Sequence, residues 1–429
     1  MKSPGFIFII LCGVIKVNWN QKTNMQRFNI FYNFIKRRHF WRYATFSEIA
    51  ELYISRTLRV VAMYIASGFT TVFLYKQGYS LQFILICWAS LYFLRCILIF
   101  LSSFFIAKVG PKHGTLISNL LYIPAMVAIG LMPGIGMAGI VIWVIFGSIS
   151  SAIYQLCYVV DFSKVKNVEH AGKEIAFMNI FDKVAIGLSP ILGGLIALIF
   201  SPQVVMIISA ALFAFAAGPL LKTSEPVKTQ QKIDFRGFPW RMAARSMVAQ
   251  LGVGFDVVTT GVVWGLFVAI VILSESGKSI YLDLGILSSV SIIVAIFASY
   301  AYGKLIDKSR GGLLLVYSVI ANSIVHLFRS VASVPSSAVG VNVTNELATA
   351  GYNMAYLRGE FDTADLSGHR IVYLCAISVV SNLGALIGCL ACLVCILLLG
   401  DASGMRLFFV VSAVAVLIIG TANFRIYRK

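Results

Sequence analysis

Charged residues are scarce in this sequence, and acidic residues are the scarcest of them. Only 12% of the 429 residues are charged, whereas a typical soluble domain carries about 25%. Lys and Arg outnumber Asp and Glu by 35 to 17, and hydrophobic residues make up 59%. This shortage of polar surface excludes an ordinary soluble protein and indicates a polytopic membrane protein.

Recognisable motifs of enzymes, nucleotide sites and metal sites are also missing. The eight cysteines lie almost entirely in apolar runs, so they indicate no disulfide framework. The segment CLACLVC (389–395) has no nearby His or acid, and its cysteines are expected to pack as small apolar residues. We therefore expect no enzyme activity, no cofactor, no metal and no nucleic-acid partner.

Long apolar runs occupy most of the chain. A helix needs about 20 residues to cross the hydrocarbon core of a bilayer, and twelve runs provide this length. We number these predicted helices 1 to 12: 56–77, 81–106, 113–132, 136–160, 173–199, 202–221, 243–273, 279–302, 312–333, 335–357, 369–399 and 403–424. The predicted fold is an all-α membrane protein with twelve transmembrane helices.

Basic residues concentrate in alternate connections between these helices. The connections near 133–136, 201–203 and 333–337 are short and nearly uncharged, whereas the alternate connections and both chain ends carry Lys and Arg. Because such loops remain in the cytoplasm, we expect a cell (inner) membrane protein with both termini cytoplasmic. The same rule explains the basic excess without nucleic acid.

The chain contains an internal repeat. SSAIYQLCYVVDF (150–162) ends predicted helix 4 and ATAGYNMAYLRGEF (348–361) ends predicted helix 10, with matching positions 198 residues apart. Two pseudo-symmetric six-helix halves, 46–222 and 243–429, are therefore expected around a polar cytoplasmic loop, 223–242.

Residues 1–45 lie outside the repeat and mix basic with aromatic side chains. This composition is typical of a helix lying on an anionic membrane surface. Two alternatives remain open: translation starts at Met25, or the first residues form a cleaved signal peptide.

Two basic turns, SFFIAKVGPKHG (103–114) and YGKLIDKSRGG (302–312), resemble the signature turn G-x-L-a-D-r-x-G-r-k of the major facilitator superfamily. The matching residues are Lys108, Gly110, Lys112, Gly303, Leu305, Asp307 and Lys308. The first turn lacks the family's acid, which Ala107 replaces. The resemblance implies that both turns help the two halves move between inward-open and outward-open states.

Predicted helix 5 holds a second family feature. Pro190, Gly193 and Gly194 fit P-x-x-G-G, and small residues stand where the family's antiporter motif has further glycines. The resemblance implies a drug or metabolite antiporter that exports its solute. The alternative is simple close packing of helices.

Polar side chains form stripes on predicted helices 1, 4, 7 and 10 at spacings of three and four residues. In the superfamily these four helices line the central cavity, so the resemblance implies substrate contact; interhelical hydrogen bonding is the alternative. The candidate substrate-binding residues are Tyr64, Ser67, Thr71, Ser151, Tyr154, Gln155, Thr260, Asn342, Asn345, Thr349 and Asn353.

Ionisable residues inside the membrane are costly, so each one is a functional candidate. Asp256 and Glu346 lie about midway along predicted helices 7 and 10, and we expect them to carry protons. The other intramembrane charges are Arg95, Asp182 and Lys183. Adjacent residues on a helix point about 100° apart, so Asp182 and Lys183 are not expected to pair with each other.

Two further polar side chains are expected to have structural roles only. His326 is expected to pack between helices, and Arg329 is expected near the outer membrane interface.

These features together predict a secondary transporter that moves a small organic solute by alternating access. Proton-coupled export by a monomer in the lipid bilayer is the leading hypothesis, with protons and the solute as partners. The alternatives are an uptake symporter or facilitator of a sugar or metabolite, and a membrane receptor or scaffold that does not transport.

Overall fold

The computed structural model of the protein describes residues 46–165, 171–221, 233–274 and 279–427. The expected surface helix within 1–45 lies outside this part of the chain, as do residues 222–232 of the central connection. The described residues form helices and short turns, with no strand among them.

The first half contributes six helices. They are α1 (Phe46–Lys76), α2 (Leu81–Val109), α3 (Pro111–Ile135), α4 (Met137–Val165), α5 (Ala171–Ile199) and α6 (Pro202–Leu221). The second half contributes six more. They are α7 (Trp240–Ile272), α8 (Ile280–Asp307), α9 (Gly311–Val331), α10 (Pro335–Leu366), α11 (Arg370–Leu399) and α12 (Asp401–Thr421).

Within the described residues, eleven of these helices contain a stretch long and apolar enough to span a membrane. The twelfth, α10, is 32 residues long but carries the polar stripe of the sequence analysis, which lowers its hydropathy. The all-helical architecture of twelve helices expected from the sequence is confirmed in the described residues.

Two predicted helix ends are wrong by about three turns. Helix α1 begins at Phe46 rather than at 56, and α10 ends at Leu366 rather than at 357. Hydropathy finds only the part of a helix that lies in lipid, whereas a backbone helix continues into water wherever its polar groups remain paired.

The first signature turn depends on the backbone of Gly110. This residue ends α2 and begins α3 with φ +95 and ψ 156, a conformation that glycine adopts readily and other residues rarely adopt. Pro111 follows as the first residue of α3, where its missing N–H costs no hydrogen bond. The turn therefore reverses the chain within one residue.

The two halves meet along α5 and α8, where small residues let the backbones approach. Gly194 of α5 lies against the backbone of Tyr281 and Leu282 in α8, and Gly285 of α8 lies against the backbone of Pro190. Gly193 faces the opposite way, toward α1. The P-x-x-G-G segment thus packs against both neighbouring helices.

We expect Gly194→Ala to lower the melting temperature of the purified protein. A Cβ atom at this position would lie 2.6 Å from the carbonyl oxygen of Tyr281 and 2.8 Å from Cα of Leu282, and such overpacking costs about 1–3 kcal/mol. The matched control is Gly261→Ala in α7, because a Cβ atom there meets nothing within 4 Å. Equal melting temperatures for the two variants would contradict this close packing.

Candidate functional site

An ion pair connects the two halves. Lys183 Nζ of α5 donates to Glu346 Oε2 of α10. The neighbouring Asp182 forms a bidentate ion pair with Arg56 of α1. Arg56 Nε donates to Asp182 Oδ1 at 2.9 Å, and Arg56 Nη2 donates to Asp182 Oδ2. As expected from their helical spacing, Asp182 and Lys183 do not pair with each other. The four side chains are partly exposed, by 14–22%.

Tyr64 of α1 shows that solvent reaches this region. It lies within electrostatic range of Asp182, Glu346 and Arg56, yet 39% of its surface is exposed. Tyr64 belongs to α1 and Glu346 to α10, so the space open to solvent at this tyrosine is bordered by charged residues of both halves. The substrate-binding candidate Tyr64 and the coupling candidate Glu346 therefore lie in the same region.

Two arginines of α1 stack on two tyrosines of α4. The Arg56 guanidinium lies 3.4 Å from the ring centre of Tyr158, and the Arg59 guanidinium lies 3.7 Å from that of Tyr154. The two rings are nearly parallel, with centroids 5.9 Å apart. Each such cation–π contact contributes about 0.5–2 kcal/mol, the larger value applying where water is excluded.

Arg59 is deeply buried and held by neutral groups. Its Nη1 atom donates to Asn119 Oδ1 at 2.6 Å and to Ser118 Oγ at 3.3 Å, and its Nη2 atom donates to Ser150 Oγ at 3.4 Å. Only 2% of this residue is exposed. Its hydrogen bonds hold α1, α3 and α4 together, and its charge is balanced by no carboxylate within hydrogen-bonding distance among the described residues.

Arg95 of α2 lies beside the polar stripe of α4. Its Nη2 atom donates to Ser151 Oγ at 3.1 Å, and its guanidinium lies 5.3 Å from the ring centre of Tyr92. One turn further along α4, Gln155 Oε1 accepts from Asn382 Nδ2 of α11 at 3.2 Å. The candidates Ser151 and Gln155 therefore lie where the two halves meet.

The second half contains a separate buried network around Asp256 of α7. His326 Nε2 lies 2.7 Å from Asp256 Oδ1, Tyr352 donates its hydroxyl to Asp256 Oδ2, and Thr260 Oγ1 donates to Asp256 Oδ1 at 3.3 Å. Arg329 Nη1 donates to Thr260 at 3.0 Å and to His326 Nδ1 at 3.2 Å. Because Nδ1 accepts, the histidine proton lies on Nε2 and the imidazole is neutral.

The backbone of α7 is irregular next to this network. It widens into π-helical turns at Thr259–Val263 and Val268–Ile272. Such turns are common at functional sites because they redirect side chains without ending the helix. Between the two turns, Trp264 Nε1 donates to Asn342 Oδ1 of α10 at 2.6 Å, so this candidate bonds to α7.

The structure shows the surroundings of Arg329 and His326. Arg329, expected near the outer membrane interface, is fully buried inside the protein, and its guanidinium lies 4.9 Å from the ring centre of Trp264. Sequence position suggested the interface because Arg329 is two residues from the end of α9, but inward-facing bonds to Thr260 and His326 hold it. His326 is packed between helices, as expected.

The remaining stripe residues have varied surroundings. Thr71 is buried, and Thr349 is buried with its hydroxyl bonded to the backbone of its own helix at 2.8 Å from Asn345 O. Asn345 is buried, and its Oδ1 atom has no hydrogen-bond partner among the described residues. Asn353 is exposed, and the side chain of Ser67 lies outside the described residues.

The first signature turn contains an ion pair that the sequence analysis did not predict. Lys112 is buried and its Nζ atom lies 3.1 Å from Glu51 Oε2 in the first turns of α1. Glu51 thus brings a carboxylate to the first turn, where Ala107 replaces the family's acid. Lys108 is exposed.

In the second turn, Gly303 is buried, Asp307 is half-buried and Lys308 is exposed. The following Ser309 has a positive φ of 59. This conformation reverses the chain direction between α8 and α9, as Gly110 does between α2 and α3.

Sequence reasoning missed Arg56 and Arg59 as site residues. Both lie at the start of predicted helix 1, where a cation is ordinarily interfacial. A signal was present: the arginines are three residues apart, and Tyr154 and Tyr158 are four apart, so each pair occupies one face of its helix.

Comparisons with known proteins agree with this architecture. A family model described as Major Facilitator Superfamily matches residues 52–357. No curated protein sequence matches the chain significantly.

Solved structures of transporters have the same fold. The Escherichia coli fucose:proton symporter FucP covers 86% of this chain and 97% of its own, with TM-score 0.60 and 11% identity. A bacterial homologue of the iron transporter ferroportin covers 86% and 97%, with TM-score 0.64 and 15% identity. The human organic anion transporter MFSD10 covers 87% and 99%, with TM-score 0.60 and 10% identity.

The family model matches well over half of the chain, so it identifies the family, whereas the structural likenesses show the fold alone. The substrates of these neighbours, fucose, iron and organic anions, are chemically unlike one another, so the fold does not specify a solute. The chain belongs to the major facilitator superfamily, and it is a membrane transporter rather than an enzyme.

Proposed function

We propose that this protein moves a small organic solute by alternating access and couples that movement to protons. The observation that carries the proposal is the Lys183–Glu346 ion pair, which joins α5 of the first half to α10 of the second. The polar cavity around it supports transport over the alternative of a receptor or scaffold, because a scaffold needs no solvent-reached charges at membrane depth.

The ion pair makes the contact between the halves sensitive to a proton. With Glu346 ionised, the pair favours the arrangement in which α5 and α10 are close. With Glu346 protonated, the attraction to Lys183 is lost and the halves can separate there. A proton can drive a transport cycle only if its affinity differs between the two arrangements, and in the proposed cycle the pair is present in one arrangement and broken in the other.

Asp256 is the second proposed coupling residue. Arg329 lies within electrostatic range of both Asp256 and Glu346, so both carboxylates contribute to balancing its charge. Asp256 is only 2% exposed, and a proton reaches it only after the surrounding network opens.

Export is the proposed direction. The P-x-x-G-G segment at Pro190, Gly193 and Gly194 supports it by likeness to the antiporter motif, and its close packing against α1 and α8 gives the segment a structural role. The alternatives are an uptake symporter and a facilitator.

The proposed organisation follows the sequence. Halves 46–222 and 243–429 are joined by loop 223–242, with 1–45 as an extension. We further propose that the protein acts as a monomer in a cell (inner) membrane with both termini cytoplasmic, which the basic connections support.

Solute-driven proton movement tests this proposal. The purified full chain is reconstituted into vesicles that contain a pH dye, the membrane potential is clamped, and small organic solutes are added outside one at a time. We expect entry of the true solute to raise the luminal pH, because antiport sends protons out as solute enters. A fall in luminal pH identifies a symporter, solute entry without a pH change identifies a facilitator, and a failure of every solute to enter contradicts transport.

A further inference from the structure

The charged side chains in the interior of the first half's helices do not balance. In the part of this half that the structure describes, five charged side chains lie at least ten residues from either end of their helices: Arg56, Arg59, Arg95, Asp182 and Lys183. Asp182 is bound by Arg56, and Lys183 is bound by Glu346 from the second half. Two cations, Arg59 and Arg95, have no carboxylate within hydrogen-bonding distance among the described residues.

Arg59 and Arg95 differ in how far their hydrogen bonds are satisfied. The buried Arg59 donates to Ser118, Asn119 and Ser150. Arg95 has a single such bond, to Ser151, and its Nε atom is buried without a partner among the described residues. A guanidinium has five N–H donors, so Arg95 retains unused donors and an unbalanced charge.

The two arginines also repel each other. Arg59 lies within electrostatic range of Arg95, and like charges at membrane depth are unfavourable without a counterion or water. An anion beside Arg95 would accept hydrogen bonds from the unused N–H groups of this arginine. Its negative charge would also offset the repulsion between Arg59 and Arg95. A cation at the same place would add to the repulsion.

The neighbours of Arg95 belong to a binding surface. Arg95 is half-buried, and Ser151 and Gln155 lie one turn apart on the polar stripe of α4. Gln155 accepts from Asn382 of α11, so the surface includes both halves. An anion bound at Arg95 would therefore sense their relative movement, as a transported solute must.

We propose that the solute is an organic anion whose carboxylate or phosphate group is bound by Arg95, with Ser151 as a second donor. This inference rests on the proposed transport function and adds the charge class of the solute. A planar guanidinium matches the geometry of both anionic groups. Tyr154, which is half-buried and three residues after Ser151 on α4, provides surface for an apolar or ring-shaped body.

A mixture of solutes of every charge class tests this inference directly. Vesicles containing the full chain are loaded with organic anions, cations, zwitterions and neutral solutes, together with inorganic phosphate. They are diluted, and the solutes that remain are measured by mass spectrometry against protein-free vesicles. We expect the solutes that leave through the protein to be organic anions.

Variants then test the role of Arg95. Arg95→Gln is expected to slow anion exit about tenfold or more, since a hydrogen bond to a charged group contributes about 1.5–3 kcal/mol. Arg95→Lys should retain part of the rate because it keeps the charge. The control is Arg241→Gln, an exposed residue at the start of α7, which should match the wild type. If Arg95→Gln folds poorly, Ser151→Ala, which removes only the second donor, should still slow exit several-fold.

Three outcomes would overturn the inference. Selective exit of cations, zwitterions or neutral solutes would refute the anion while leaving transport intact. Exit of inorganic phosphate alone would refute an organic solute, and anion exit at the wild-type rate through well-folded Arg95→Gln would refute the role of Arg95. Exit of no solute would instead contradict the proposed transport function.

Discussion

Glu346→Gln is expected to abolish the solute-driven pH change while leaving solute exchange across the vesicle membrane largely intact. Glutamine keeps the shape of glutamate but cannot ionise, so the bond to Lys183 no longer depends on a proton. The measurement is the luminal pH response in the vesicle assay, beside the exchange of labelled solute at equal pH on both sides.

A matched control is available at the end of the same helix. Asp365 of α10 pairs with Arg370 of α11, and the two side chains are 35% and 28% exposed. Asp365→Asn also removes a carboxylate from an ion pair, yet it should leave the pH response unchanged because this pair joins neighbours within one half. A normal pH response from stable Glu346→Gln protein would exclude Glu346 as a coupling residue.

The bond between Lys183 and Glu346 has a competing structural interpretation. If it only holds the halves together, Glu346→Gln should lower the folded yield and the melting temperature, because it leaves a cation without its partner. The partial exposure of both side chains limits this loss, since water can solvate the lysine. Melting temperature and pH response therefore separate the two roles.

The sequence was sufficient for the fold but not for the partners of its charges. Hydropathy located every helix, and the stripes of α4 and α10 marked Ser151, Gln155 and Glu346, whose side chains bond to other helices. The partner of Lys183, however, is 163 residues away on the other half. Such a pair depends on how the two halves pack against each other. The periodic spacing of residues along one helix contains no information about that packing.

The same limit applies to Arg329 and to Arg56, which the sequence analysis did not single out. The distance of a side chain from its helix end does not show whether it faces lipid or the protein interior. Arg329 lies near the end of α9 but turns inward to Thr260 and His326. Arg56 lies near the predicted start of α1, which in fact begins ten residues earlier.

Asp256→Asn is expected to have the larger effect on stability. Asp256 is 2% exposed, and His326 and Arg329 are fully buried. Asparagine keeps the shape of aspartate and removes the negative charge with the largest electrostatic effect on Arg329. Removing one partner from a buried charged network costs about 3–5 kcal/mol, so the folded yield and the melting temperature should fall well below those of Glu346→Gln.

A second substitution tests whether the charge of Arg329 causes that loss. Arg329→Met keeps much of the side-chain length and removes the cation. In the double variant with Asp256→Asn, no unbalanced charge remains, and part of the lost stability should return as a coupling energy of about 0.5–3 kcal/mol. Melting temperatures of the four proteins in the cycle measure this energy. Additive losses would show that Asp256 and Arg329 act independently, and an unchanged melting temperature for Asp256→Asn would show that its carboxylate is protonated, and therefore uncharged, in the folded protein.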